Sequence, residues 1–177
     1  MNLSKPYTSA QVKKISSDWY DKYGHTDEVI FFAFRNLTNQ GKDLRAKCKL
    51  LKSFYGVPRP DGIEIVAERI ENIANLDKRL ADGDLSVVND ISDKKIQEKG
   101  TRQFSFATKF CSFHQPTIYP IYDSTIYKAL KKEGVSNSNF GTDFILFKKE
   151  IDDFISRNGL KDCTYKEIDH FLQKISE

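Results

Sequence analysis

The stretch Phe104-Ser105-Phe106-Ala107-Thr108-Lys109-Phe110-Cys111-Ser112-Phe113-His114-Gln115-Pro116-Thr117-Ile118-Tyr119-Pro120-Ile121-Tyr122-Asp123-Ser124-Thr125-Ile126-Tyr127-Lys128-Ala129-Leu130 reads as helix, turn, link, helix. Phe104 to Phe113 is apolar on most sides, the mark of a helix placed in the interior. Pro116 and Pro120 forbid its continuation. Ile126, Tyr127 and Leu130 then recur at helical spacing, and Asp123 stands immediately before them. Asp is a preferred N-cap, because its carboxylate accepts the free N–H groups of the first turn. The same N–H groups and the helix dipole favour a negative charge there, so this position can also carry a fixed charge beside a cleft.

Outward from this stretch, nearly every segment repeats the helical pattern. Val12, Ile15, Trp19 and Tyr23 follow a capping box of Thr8 with Gln11, and Gly24 is read as the stop. Thr26 is read as the cap of a second helix, whose run Val29-Ile30-Phe31-Phe32-Ala33-Phe34 is the longest apolar stretch in the chain. A basic helix follows Gly41 and ends at Tyr55-Gly56, before Pro58 and Pro60. Asp61 with Glu64 opens a long amphipathic helix carrying Ile63, Val66, Ile70, Ile73 and Leu80, closed by Gly83. Short helical pieces are expected over Leu85–Ile91 and Ser92–Lys99, and the helix after Asp123 is expected to stop near Gly134. Val135 to Gly141 reads as a loop. Phe144, Phe147, Ile151, Phe154 and Ile155 stripe one further helix. The last carries Ile168, Phe171, Leu172 and Ile175 behind a Thr164–Glu167 capping box. No strand alternation of useful length is visible, so an all-α fold of eight to ten helices is expected.

The 177 residues suit a single all-α domain over 1–177, with a core of about 27–134 and flanking helices at 8–24 and 142–175. No segment has the length of a membrane span or the layout of a secretion signal, so a cytoplasmic protein without a membrane partner is expected, as a monomer. Cys48, Cys111 and Cys163 are odd in number and lack CxxC spacing, which leaves reduced, buried thiols. Cys111 and His114 are three apart, but no second pair completes a four-ligand site, and His25 and His170 stand alone. No phosphate-binding or dinucleotide motif occurs, so no metal and no cofactor is expected. The formal charge of +3 is small, but it is unevenly spread. Lys42, Arg45, Lys47, Lys49 and Lys52 face the single Asp43, and Lys94, Lys95, Lys99, Arg102 and Lys109 face Glu98. Such clusters are either the footprint of a polyanion or solvated helix faces.

Ser105 through Phe113, the turn at His114-Gln115-Pro116 and the link Tyr119-Pro120-Ile121-Tyr122-Asp123-Ser124 resemble the catalytic region of the helix-hairpin-helix DNA glycosylase superfamily. The resemblance extends from Asp27 to Leu130 and is specific from Ser105 to Leu130. It implies a helix-hairpin-helix glycosylase-like fold in which Asp123 is catalytic. Ser105, eighteen residues earlier, occupies the place of the lysine that forms a Schiff base in bifunctional members. Serine there implies a monofunctional hydrolase of an N-glycosidic bond. Asp123 would stabilise the positive charge that develops on the sugar, or orient the attacking water. Lys109, one helical turn beyond Ser105, is read as a surface lysine contacting the DNA backbone rather than as a substitute nucleophile.

The resemblance also implies a duplex DNA partner with an extruded base, and nucleoid association. Asn36, Asn39 and Gln40 would enter the gap the base leaves. Tyr119 and Tyr122 would stack on the base, and His114 would line its pocket. Lys94, Lys95, Lys99, Arg102, Lys109, Arg45 and Lys49 would hold the backbone. The chain departs from the family at the hairpin, where Lys99-Gly100-Thr101-Arg102-Gln103 has one glycine and no proline. It also lacks the four-cysteine iron–sulfur loop of several branches. The alternative expectation is a non-catalytic module, binding nucleic acid or protein on a glycosylase-like scaffold.

Overall fold

The computed structural model describes residues 7–55, 62–92, 103–135 and 143–177. Among them the chain forms nine helices and no strand: α1 (Ser9–Asn36), α2 (Gly41–Tyr55), α3 (Gly62–Glu71), α4 (Leu76–Ala81), α5 (Ser86–Ser92), α6 (Phe104–His114), α7 (Ser124–Lys132), α8 (Phe144–Arg157) and α9 (Tyr165–Ser176). The all-α class is therefore observed. The helices group into two compact units, one of residues 1–24 with 120–177 and one of residues 25–119.

In the first unit, α7 packs on α9. Its interior is built from Val12, Ile126, Leu130, Phe144, Phe147, Ile151, Phe154, Ile168, Phe171 and Leu172. Three of its helices start on side chains that satisfy the exposed first-turn amides. Asp123 accepts from Thr125 and Ile126, and Asp143 from Ile145 and Leu146. Thr164 and Glu167 form the expected reciprocal box on α9. Gly134, at φ 86°, gives α7 a left-handed end in which Val135 N–H reaches back to the Leu130 carbonyl.

In the second unit, α2 packs on α3 and α5 on α6. Phe34 on α1 meets Phe110 and Phe113 on α6 at ring distances of 5.3 and 5.7 Å, and Phe31 meets Phe113 edge-on at 4.8 Å. These aromatic contacts carry area and a geometric preference together. Arg79 on α4 binds Asp84, Ser86 and Asp90, fastening α4 to the start of α5. Cys48 and Cys111 are buried here, and Cys163 in the first unit, all as free thiols.

Two helix boundaries differ from the sequence reading. Gly24 does not stop a helix; it lies inside α1, and Thr26 continues that helix rather than capping a new one. The Tyr20 ring lies over Gly24, so close that an added Cβ would stand 2.9 Å from it. A ring packed over the glycine explains its presence in a helix interior, where it otherwise costs about 1 kcal/mol. The long helix expected up to Gly83 is divided into α3 and α4, with Ile73 in the turn between them. Asn75 adopts the left-handed conformation, φ 54°, which an Asn tolerates better than other side chains and which ends helical continuity. Gly83, at φ 74°, then closes α4 as expected. Asp61, Gly56, Pro58 and Pro60, the piece from residue 93 to Lys99 and the loop from residue 136 to Gly141 lie outside the described residues.

Candidate functional site

Asp123 is the first candidate, in the first unit. Its backbone is extended, with φ −148° and ψ 178°, as an N-cap requires. Its Oδ1 accepts from the amides of Thr125 and Ile126, each at 2.9 Å. Two bonds to one oxygen fix the plane of a half-buried carboxylate at the mouth of α7. Tyr122, also half-buried, packs at right angles to Phe147 at 5.2 Å and beside Tyr127 at 6.4 Å. Burial pushes its phenol upward.

The second candidate, in the second unit, is a polar cluster centred on the side-chain amide of Asn39. Lys47 Nζ donates to Asn39 Oδ1 at 2.8 Å, and His114 Nε2 lies 3.1 Å from the same oxygen. Asn39 Nδ2 donates to Asp77 Oδ1 at 2.6 Å. Lys47 is 1 % exposed and Asn39 8 %, and the ammonium lies 5.1 Å from the centre of the Phe34 ring. The amide thus joins an interior cation to a carboxylate at the surface. The His114 ring is held between Phe34 and Phe110, both at 4.9 Å. Burial, reinforced by the charge of Lys47, pushes His114 down to about 3. Burial likewise lowers Lys47, against the opposing pull of Asp77 and Asp43.

Asn39 and Asp77 also face a cleft of about 380 Å³ that Gln40, Glu71, Asn75 and Lys78 help to line. Its size suits a small ligand. Glu71 accepts from the Gly41 amide at 2.7 Å and from Arg45 at 3.5 Å, so both acids of the cleft are already answered by protein donors.

The remaining residues expected to form a site divide between the units. Asp123 and Tyr122 belong to the first unit; Ser105, His114, Tyr119, Asn36, Asn39 and Gln40 belong to the second. Among these the structure brings Asn39 and His114 together, and Gln40 onto the same cleft. Asn36 is exposed and folds its amide back to the Phe32 carbonyl, closing α1.

Several expectations are corrected. Tyr119 is fully buried and donates its hydroxyl to the Asp84 carbonyl at 3.1 Å, which makes it a core residue rather than a stacking platform. Lys109 is 6 % exposed. Its Nζ donates to Ser105 Oγ at 2.7 Å and lies 5.4 Å from the Tyr55 ring centre, so it does not reach a phosphate backbone. Arg45 and Lys49 face Glu64 at 2.9 and 3.8 Å, and Arg45 also faces Glu71 at 3.5 Å. The basic face of α2 is thereby largely matched by acids of α3. Lys94, Lys95, Lys99 and Arg102, with the hairpin-equivalent stretch, lie outside the described residues.

Sequence reasoning placed Lys47 only in the basic cluster of 42–52, whereas it is buried, and missed Asp77. The signal was present on α2, where Lys47 shares the buried face with Leu44, Cys48 and Leu51. A lysine at that register is buried with them unless its stem carries the charge out to water.

Residues 8–118, well over half of the chain, match the family model HI_0787_N, described as an N-terminal domain, so the chain belongs to that family. A segment of 68 residues, 38 % of this chain, is 44 % identical to an "Uncharacterized protein" of Haemophilus influenzae (strain ATCC 51907 / DSM 11121 / KW20 / Rd). That segment covers 34 % of the Haemophilus protein, so the match spans about a third of that relative's length. No solved structure matches.

Proposed function

We propose that this member of the HI_0787_N family hydrolyses an N-glycosidic bond in DNA on a helix-hairpin-helix glycosylase-like scaffold, without cutting the strand. The observation that carries the reading is the sequence of α6, link and α7 with Asp123 as the N-cap of α7. This is the local order implied by the resemblance, in which the capping carboxylate stabilises the positive charge that develops on the sugar. Lys109 supports a monofunctional reaction. A buried ammonium turned to Ser105 and the Tyr55 ring is not presented as a nucleophile to a sugar carbon.

The test uses Asp123→Asn, because Asn caps a helix about as well as Asp and the variant should fold. Duplexes carrying a panel of damaged bases are incubated with both proteins and treated with alkali. Base loss should fall about tenfold to a hundredfold in the variant, which corresponds to roughly 1.4 to 2.7 kcal/mol of transition-state stabilisation. Strand breaks before alkali should be absent in both. Equal base loss by the two proteins would remove Asp123 from the mechanism.

A second reading has an observation of its own. Tyr119 is in the interior of the second unit and the half-buried His114 is engaged by Asn39, which favours a binding module over a base pocket built from them. Duplex binding with no base loss in either protein would select that reading.

A further inference from the structure

The first unit holds a second cavity, of about 480 Å³, and its walls differ from the polar cleft beside Asn39. Trp19, Tyr23 and His170 supply three aromatic rings. Trp19 stacks on His170 with ring centres 3.9 Å apart and planes 19° from parallel, and Tyr23 stands 5.3 Å from Trp19. His170 is held from behind, its Nδ1 lying 2.9 Å from Ser16 Oγ. His170 is 2 % exposed and Trp19 is half-buried with the Lys166 ammonium 5.6 Å from its ring centre, so the wall opens to water at the exposed Tyr23 and the free edge of Trp19.

The charges around this wall are not symmetric. Asp18 and Glu177 line the cavity, but each already faces a lysine, Lys14 at 3.3 Å and Lys174 at 2.5 Å. Lys22 lies 5.0 Å from the Tyr23 ring centre; the Tyr23 side chain, and at longer range the charge of Glu177, favour its ammonium form, and it makes no direct ion pair among the described residues. A partly open aromatic wall beside an ammonium that makes no direct ion pair among the described residues is matched to a planar ring that bears an anionic group. A methylated ammonium, the other common guest of aromatic walls, would meet Lys22 as a like charge.

We propose that this cavity binds a nucleotide, with its base against Trp19 and Tyr23 and its phosphate toward Lys22. The assignment is independent of Asp123. The same chemistry is offered by a free mononucleotide and by one nucleotide of a single strand, and the experiment separates the two.

Trp19 is the single tryptophan of the chain, so its fluorescence reports this cavity alone. The full chain is titrated with uridine monophosphate, adenosine monophosphate, a short single-stranded oligothymidylate and, as ring-free controls, ribose 5-phosphate and inorganic phosphate. Saturable quenching by nucleotides and none by the controls is the expected result. Quenching by the mononucleotides identifies a free nucleotide as ligand; quenching by the oligomer alone identifies a single strand. Lys22→Ala and Tyr23→Ala alter exposed side chains and should keep the fold while weakening binding roughly five- to a hundredfold, the range of one base–aromatic contact. Absence of saturable quenching in every arm overturns the proposal, as does unchanged affinity in the Lys22→Ala/Tyr23→Ala double variant.

Discussion

Asn39→Leu should lower the free energy of unfolding by about 3–5 kcal/mol, the cost of stripping the hydrogen-bond partner from an interior charge. The substitution nearly conserves volume but removes the acceptor of Lys47 Nζ and the neighbour of His114 Nε2. Lys47, at 1 % exposure, has no route to water as placed, and the Phe34 ring returns only a part of the lost interaction. Asp77 is exposed, so its carboxylate rehydrates when the amide is lost and adds little. The companion variant is decisive. In Asn39→Leu/Lys47→Met the charge and its partner leave together, and apolar groups fill the space beside Phe34. The double variant should recover most of the loss, so the two substitutions should be strongly non-additive. Urea unfolding midpoints measure all three proteins. A cost below about 1 kcal/mol for Asn39→Leu would show that Lys47 finds another partner at little expense.

His114 should make the fold acid-sensitive in a window set by its two states. An unfolded histidine titrates near 6.5, whereas burial holds the folded one at about 3. Between these values the unfolded chain binds the proton and the folded chain does not. Stability from this group is therefore complete above pH 6.5 and is lost as pH falls toward 3, with a limiting slope of about 1.4 kcal/mol per pH unit. From pH 7 to about pH 4.5 the loss should amount to roughly 2.5 kcal/mol. Asp84, held down to about 2 chiefly by the Ser86 hydroxyl and Arg79, loses its contribution as pH falls from the ordinary carboxylate value toward 2, below the pH 4.5–7 span. His114→Asn should flatten the profile between pH 4.5 and 7 even if it lowers stability throughout. A slope that survives in His114→Asn would assign the acid sensitivity to other groups.

The helical architecture was legible because it rests on local signals. The caps at Asp123 and Thr164, the stripes of α8 and α9 and the glycine ends at Gly83 and Gly134 all act within a few residues of where they stand in the chain. The two misread boundaries show the limit of local rules. Gly24 carries a stop signal, but a ring four residues away packs over it; the apolar stripe of the long helix runs on past Asn75, whose left-handed backbone breaks it. The candidate sites were less legible for a physical reason. Arg45 reads as free charge until Glu64 and Glu71, nineteen and twenty-six residues on, are folded against it. Lys109 reads as a surface lysine until Tyr55 covers it. Asn39 and His114 were each selected on sequence grounds, but their meeting at 3.1 Å comes from a pairing 75 residues apart in the chain, and it turns Lys47, eight residues from Asn39, into part of an interior cluster.

The neutral amide of Asn39 has a consequence for the cleft it borders. Hitched through that amide to the interior ammonium, the Asp77 carboxylate projects less field than a bare one, and Glu71 is similarly offset by Arg45 and the Gly41 amide. The cleft should behave as a set of oriented dipoles and not as a trap for counterions, so millimolar magnesium or calcium should leave the thermal midpoint where it was. Replacing Lys47 by methionine should unmask Asp77 and give the cleft a divalent-ion dependence not expected of the natural chain.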